Sequence, residues 1–378
     1  MKLNTCRSGR NALVWVLFAV LLGLTACGEL PKTQSKLASQ VPLVYPSPPD
    51  EPRFYYERTL HGSYDVENAQ SDSQLKEFLT GERTAGGERI EKPYGVSVHK
   101  GRIFVSDTVA RVVKVFDVPT GRYFRIGETE PGRLMKPLGI DVDAAGNLYV
   151  ADISQKIILV YDRDGKFLRT LAGPSFFTRL VSVTVDKNGD RAYAVDIGGS
   201  ASKPEDHRVR VFDARTGKHL FDFGKRGTGP GEFNLPRDVA IGKDNKLYVV
   251  DGGNFRIQIF DHDGNYIKSF GKIGKKPGNL GRPKEIETDA AGNVYVIDSA
   301  FANLQIFNPD GELLMFIGSR SEDDGPARFL LPEGIAVDED GRIYVVDQWY
   351  RKLEVFRPAA IGEQEGYLVK KEIIKKGK

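Results

Sequence analysis

The 378-residue chain has two cysteines, three methionines, two tryptophans and five histidines, and each scarcity removes a class of chemistry. The cysteines, Cys6 and Cys27, both lie near the N-terminus, so the long remainder of the chain holds no disulfide and no thiolate metal site. The histidines, at 61, 99, 207, 219 and 262, share no repeat position and no ligand spacing, which leaves a zinc lyase site without its ligands. There is no Gly-x-Ser-x-Gly elbow for a serine hydrolase, and no phosphate-binding glycine loop opening a helix. Excess charge is missing too. Lys and Arg number 54 against 51 Asp and Glu, and the first 26 residues hold three basic residues, Lys2, Arg7 and Arg10, and no acidic one. Without that segment the chain is formally neutral, which gives no electrostatic case for nucleic acid.

What is abundant is a repeat. Six short apolar runs end in an aspartate, and five of those aspartates are followed nine residues later by an aromatic ring: Asp107 and Phe116, Asp152 and Tyr161, Asp251 and Phe260, Asp298 and Phe307, Asp347 and Phe356. Asp196 and Phe212 form a sixth pair stretched by seven residues, and successive aspartates lie 45, 44, 55, 47 and 49 residues apart. Within one unit, Pro137 to Asp143, Leu148 to Asp152, Lys156 to Tyr161 and Lys166 to Leu171 read as four strands separated by glycine-containing turns. A lone four-stranded meander cannot bury both faces, so such units stack around an axis as the blades of a β-propeller. Six units predict an all-β protein of six four-stranded antiparallel blades.

Segments such as Leu235 to Ile241, Leu247 to Asp251, Asn254 to Phe260 and Gly224 to Phe233 resemble NHL repeats, and the resemblance runs from about residue 92 to 357. It implies a six-bladed propeller used as a binding platform. A minority of related propellers are enzymes, among them peptidyl-hydroxyglycine amidating lyases and the gluconolactonase group.

The N-terminus has its own logic. Three basic residues precede an apolar stretch from Ala12 to Leu24 that is too short to span a bilayer. It ends Leu24-Thr-Ala-Cys27, which resembles a bacterial lipobox and makes Cys27 the expected lipidated residue of an outer-membrane lipoprotein facing the periplasm or the surface. Residues 27–52, rich in Pro, Ser and Gln, read as a tether. In residues 53–62 the triplet Arg58-Thr-Leu60 repeats Arg169-Thr-Leu171, so this segment is expected to supply the outer strand of the last blade. Residues 367–374 compete for that slot, and Ser73 to Leu79 reads as a short helix.

Turns in a propeller alternate between two faces, and the short Gly-containing ones gather on one of them. Long loops gather on the other, where binding concentrates. Arg226, Phe233, Arg237, Phe255, Phe301, Trp349 and Tyr350 lie there and form the expected docking set, since aromatics and arginines dominate interfaces. The six aspartates read as turn architecture, because an active site is singular and breaks repeat symmetry. On the innermost strands Asp141, Asp238, Glu285 and Glu287 are the alternative: a channel site for calcium serving a hydrolase or lyase, with oxygen ligands suited to a hard cation. The leading expectation is a single propeller with no cofactor that binds another envelope protein, as an accessory to a multihaem cytochrome assembly by analogy alone.

Overall fold

The computed structural model describes residues 43–67, 87–199, 203 and 206–370. Those residues form six antiparallel blades. The inner strands are Pro93–His99, Pro137–Val142, Leu180–Val185, Pro236–Ile241, Pro283–Thr288 and Pro332–Val337. Each touches the next, and the last touches the first, so the ring is closed. The repeated aspartate ends the second strand of every blade, as in Leu148–Asp152 and Ile343–Asp347. The third strand of the second blade begins at Ile157 rather than Lys156, because Lys156 sits at φ +55° in the turn.

The core lies between blades. One apolar cluster joins Val96, Val105 and Phe116 of the first blade to Tyr344, Val346 and Leu353 of the last, and another joins Ile297 and Leu304 to Val345 and Phe356. Stacking therefore buries the face that one blade alone would expose to water.

Closure is made by the N-terminal segment. Phe54–Leu60 pairs antiparallel with Lys352–Pro358, with Leu60 opposite Leu353 and Phe54 opposite Pro358. Residues 361–370 form no strand, although Leu368 is buried. The tether reading of residues 27–52 needs correction at its end. Val44–Tyr45 adds a fifth strand outside Phe54–Leu60, because the Tyr45 ring packs edge-on against Phe356 at 5.8 Å. Cys27 and the expected helix at 73–79 lie outside the described residues.

The axis is narrow because three inner strands carry glycine at their third position. A Cβ at Gly139 would fall 2.7 Å from Ser182 Cα, and one at Gly334 would fall 2.3 Å from the Tyr94 carbonyl oxygen. No side chain fits there without moving backbone.

Candidate functional site

Each repeated aspartate is fully buried, and four of the six, Asp107, Asp152, Asp298 and Asp347, work as two-sided clamps. In the last blade Oδ1 of Asp347 accepts the N–H groups of Trp349 and Tyr350, both at 2.9 Å, which shapes the turn after the strand. Its Oδ2 accepts the N–H groups of Leu330 and Leu331 at 2.9 and 3.0 Å, which holds the long loop entering the inner strand. Asp107, Asp152 and Asp298 repeat the pattern on Lys92, Lys136 and Arg282. The aspartates are architecture, as their periodicity implies, and their reach extends to the long loops as well as the turns. On the opposite face Asp162 and Asp261 likewise close hairpin turns, accepting the N–H groups of Lys166 and Asn265 at 2.9 and 2.8 Å.

The long loops have a second anchor. Three residues before each inner strand stands a large apolar side chain, in order Ile90, Leu134, Phe177, Phe233, Leu280 and Phe329, and all six are buried. This overturns the place of Phe233 in the docking set. Its ring lies against Phe260 at 5.5 Å and Phe223 at 6.4 Å, plugging the seam between two blades. A third anchor comes from the middle of the third strand. Gln258 and Gln305 donate to the carbonyls of Glu232 and Asn279, and Glu354 accepts from Ala327 N–H at 2.8 Å. Lys352 Nζ, itself buried, binds the carbonyls of Gly325 and Arg328 and the carboxylates of Asp324 and Glu354. The long loops are thus fixed surfaces.

The rest of the docking set divides. Trp349 is 63% exposed and Arg226 is exposed. Tyr350, Phe255, Phe301 and Arg237 are half-buried. The Tyr350 hydroxyl donates to the Ser321 carbonyl at 2.8 Å, and Phe255 packs beside Ile257 and Leu280 from a left-handed conformation at φ +57°. Sequence reasoning missed the aliphatics. Ile273 is 66% exposed and Val109 57%, with Met135 and Leu235 also open to solvent. With Trp349 these five stand in long loops or in turns after the repeated aspartates, all on one face. Among the described residues the other exposed large apolar side chains lie on outer strands or terminal segments, and none lies in the short turns. The signal was available for two of them: Val109 and Trp349 both stand two residues after a clamping aspartate, at the tip of the turn.

The inner-strand carboxylates do gather at the axis. Asp141, Asp238, Glu285 and Glu287 line a channel cavity of about 20 Å³, room for about one water. Asp238 accepts from the Ser182 hydroxyl and from Ile286 N–H, and burial pushes its carboxyl up to about 6. Burial and the neighbouring Asp238 and Glu333 hold Glu285 well above the usual carboxylate range. Asp141 accepts from Thr184 Oγ1 at 2.7 Å and Val185 N–H at 2.9 Å. At the long-loop mouth Lys284 pairs with Glu333 at 2.8 Å. At the other mouth the channel opens into a funnel of about 650 Å³ lined by Glu287, Lys187, Tyr193, Lys243 and Glu339, where burial and Asp141 push Glu287 up to about 8. Among the described residues no three His, Cys, Asp or Glu side chains converge as a metal cage. The carboxylates of the calcium alternative therefore share the channel but are occupied by separate hydroxyl and N–H donors.

Sequence comparison agrees with this architecture. A family described as NHL repeat matches residues 233–260, and one described as 6-bladed beta-propeller matches residues 77–200. The chain is a six-bladed β-propeller that carries an NHL repeat at residues 233–260. This NHL propeller is 32% identical over 117 residues to a probable peptidyl-alpha-hydroxyglycine alpha-amidating lyase of Caenorhabditis elegans, an alignment covering 30% of this chain and 31% of that protein. The chain thus spans about a third of the length of that curated relative. Among solved structures, a Bacteroides thetaiotaomicron protein of unknown function superposes with TM-score 0.58 at 15% identity, over 80% of this chain and 75% of that one. A gluconolactonase from Xanthomonas campestris superposes with TM-score 0.52 at 15% identity, over 71% of this chain and 86% of that one. Likeness at such identity establishes the shared fold and no activity.

Proposed function

We propose that this NHL propeller is an exported, lipid-anchored module that captures a protein partner in the cell envelope on its long-loop face. The observation that carries the reading is the segregation of exposed apolar side chains. Away from the outer strands and termini, Val109, Met135, Leu235, Ile273 and Trp349 are all on that face. A face that holds apolar side chains in water on clamped loops is suited to docking, because little order is lost when it is covered. The anchor is Cys27, from its Leu24-Thr-Ala-Cys setting. Nothing on the face selects a multihaem cytochrome, and the proposal is held to a protein partner.

The test is a photo-crosslinking residue at position 349 in the full chain expressed in its own envelope. A discrete adduct that disappears with Val109→Ser and Ile273→Ser supports the reading; adducts unchanged by both substitutions count against it. Mass spectrometry of the extracted protein is expected to find a diacylated Cys27 at the mature N-terminus, and a free N-terminus upstream of it would remove the anchor.

A second reading has one observation in its favour, the similarity to the amidating lyase. It would place chemistry in the 650 Å³ funnel, with Glu287 as a proton carrier. Turnover of a peptidyl-α-hydroxyglycine by the purified protein, lost in Glu287→Gln, would establish it over the first.

A further inference from the structure

We infer that the partner is recognised through an acidic polypeptide segment laid across the long-loop mouth of the channel, which deepens the reading above and rests on it. The residue immediately before the inner strand is Lys92, Lys136, Arg179 and Arg282 in four blades and leucine in the other two. Inner strands line the axis, so these four side chains ring the mouth, and all four are exposed. Their placement is rigid. Each backbone N–H donates to its clamping aspartate, at 3.2, 2.9, 2.7 and 3.0 Å in order. Each carbonyl accepts the N–H of the residue after that aspartate, Thr108, Ile153, Ile197 and Ser299, at 3.0 to 3.2 Å. None of the four enters an ion pair among the described residues, whereas Lys114, Lys284, Arg342 and Lys352 all do. A fixed ring of like charges repels itself, and an anionic complement relieves that repulsion.

The surroundings narrow the anion to a carboxylate-bearing chain of limited width. Met135 and Leu235 stand within the same ring of loop ends, so the mouth combines cationic and apolar contacts. Of the twelve residues in the last two positions before the inner strands, Glu91 is the one acid. Further out on the same face the long loops carry both signs, with exposed Glu128, Glu130, Glu322 and Asp323 interspersed among cations such as Lys272, Lys275, Lys276 and Arg328. A bilayer lying over the whole face, or a phosphate polymer crossing it, would meet those carboxylates. A segment confined to the mouth would not.

The probe is fluorescent poly-L-glutamate, titrated by anisotropy against the purified soluble chain without its first 26 residues. Binding is expected at low ionic strength, weakening at least tenfold between about 50 and 300 mM salt as charge pairing is screened. The variant K92E/K136E/R179E/R282E should lose it by tenfold or more. The variant K166E/K218E/K243E/K246E changes net charge equally on the opposite face and should keep it. A glutamate-rich peptide with interspersed leucines should bind more tightly than poly-L-glutamate, and Leu235→Ser should erase that margin. Equal loss in the two quadruple variants overturns the proposal. So does tighter, ring-dependent binding of phosphatidylglycerol vesicles or of polyuridylic acid, or ring-dependent self-association in sedimentation, each of which names a different occupant. Failure here with position-349 crosslinks intact would leave the platform standing and remove only its acidic partner. Binding of the probe with no crosslinked partner would do the reverse.

Discussion

The two faces of the ring grow from the same strands and are closed by the same residue type, yet they differ in kind. On one face short Asp-x-x-Gly turns crowd carboxylates around an open funnel. On the other, buried aspartates and buried plugs hold long loops whose exposed surface is apolar and basic. The difference shows that aspartate does two jobs set by burial. Asp162 at a solvent-facing turn saves backbone donors that water could satisfy. Asp347 in the interior satisfies four that water cannot reach.

Paired substitutions sharpen that contrast. The largest effect is expected for Phe233→Ala, which empties a plug site and should cost about 3–5 kcal/mol, while Leu235→Ala two residues away should change stability by about 0.5 kcal/mol or less. Urea unfolding of both checks it, and similar losses would mean that the loop ends are packed rather than displayed. Next is Asp347→Ala, which leaves buried N–H groups on two segments and should cost about 3 kcal/mol, against less than about 1 kcal/mol for Asp162→Ala. A comparable cost for the two would break the distinction between the faces.

The smallest effect concerns pH. Glu287 ionises near 4.5 when unperturbed and near 8 in the folded protein. Between those values the folded chain binds the extra proton, so its contribution to stability falls as pH rises through that window. Glu287→Gln should flatten the melting profile there, gaining about 1–2 kcal/mol on the parent at pH 9 and nothing at pH 4.5. Parallel profiles for the two proteins would mean that the funnel wall is open to bulk water.

Much of this was legible in the sequence because the repeated features are local. An aspartate and a ring nine residues apart span one hairpin, and Arg58-Thr-Leu60 copies an outer strand closely enough to favour residues 53–62 over their competitor, residues 367–374. The position of Phe233 was not legible in the same way. Its equivalents Ile90, Leu134 and Leu280 stand at a constant distance from the inner strand, but the loops before them vary in length, so residue type and not register guided the expectation. Aromatic character suggested exposure where packing had claimed the ring, and nothing in the aliphatic character of Ile273 signalled that its loop displays it. Val44-Tyr45 was hidden by its proline-rich neighbours, since two residues carry too little pattern to announce a strand. The funnel was hidden because no single short turn encloses space; several together do.

Because Phe54–Leu60 completes the blade begun by Pro332–Val337, the strand made among the first must wait for one made among the last. Until residue 358 has left the ribosome, the early strand has no edge to join and the final blade no lid. Roughly 300 residues of chain separate the two halves of that one sheet, a loop whose closure is slow and entropically costly. A prematurely terminated product would therefore show an unpaired strand at both ends at once, which makes the clasp a built-in report that synthesis has finished.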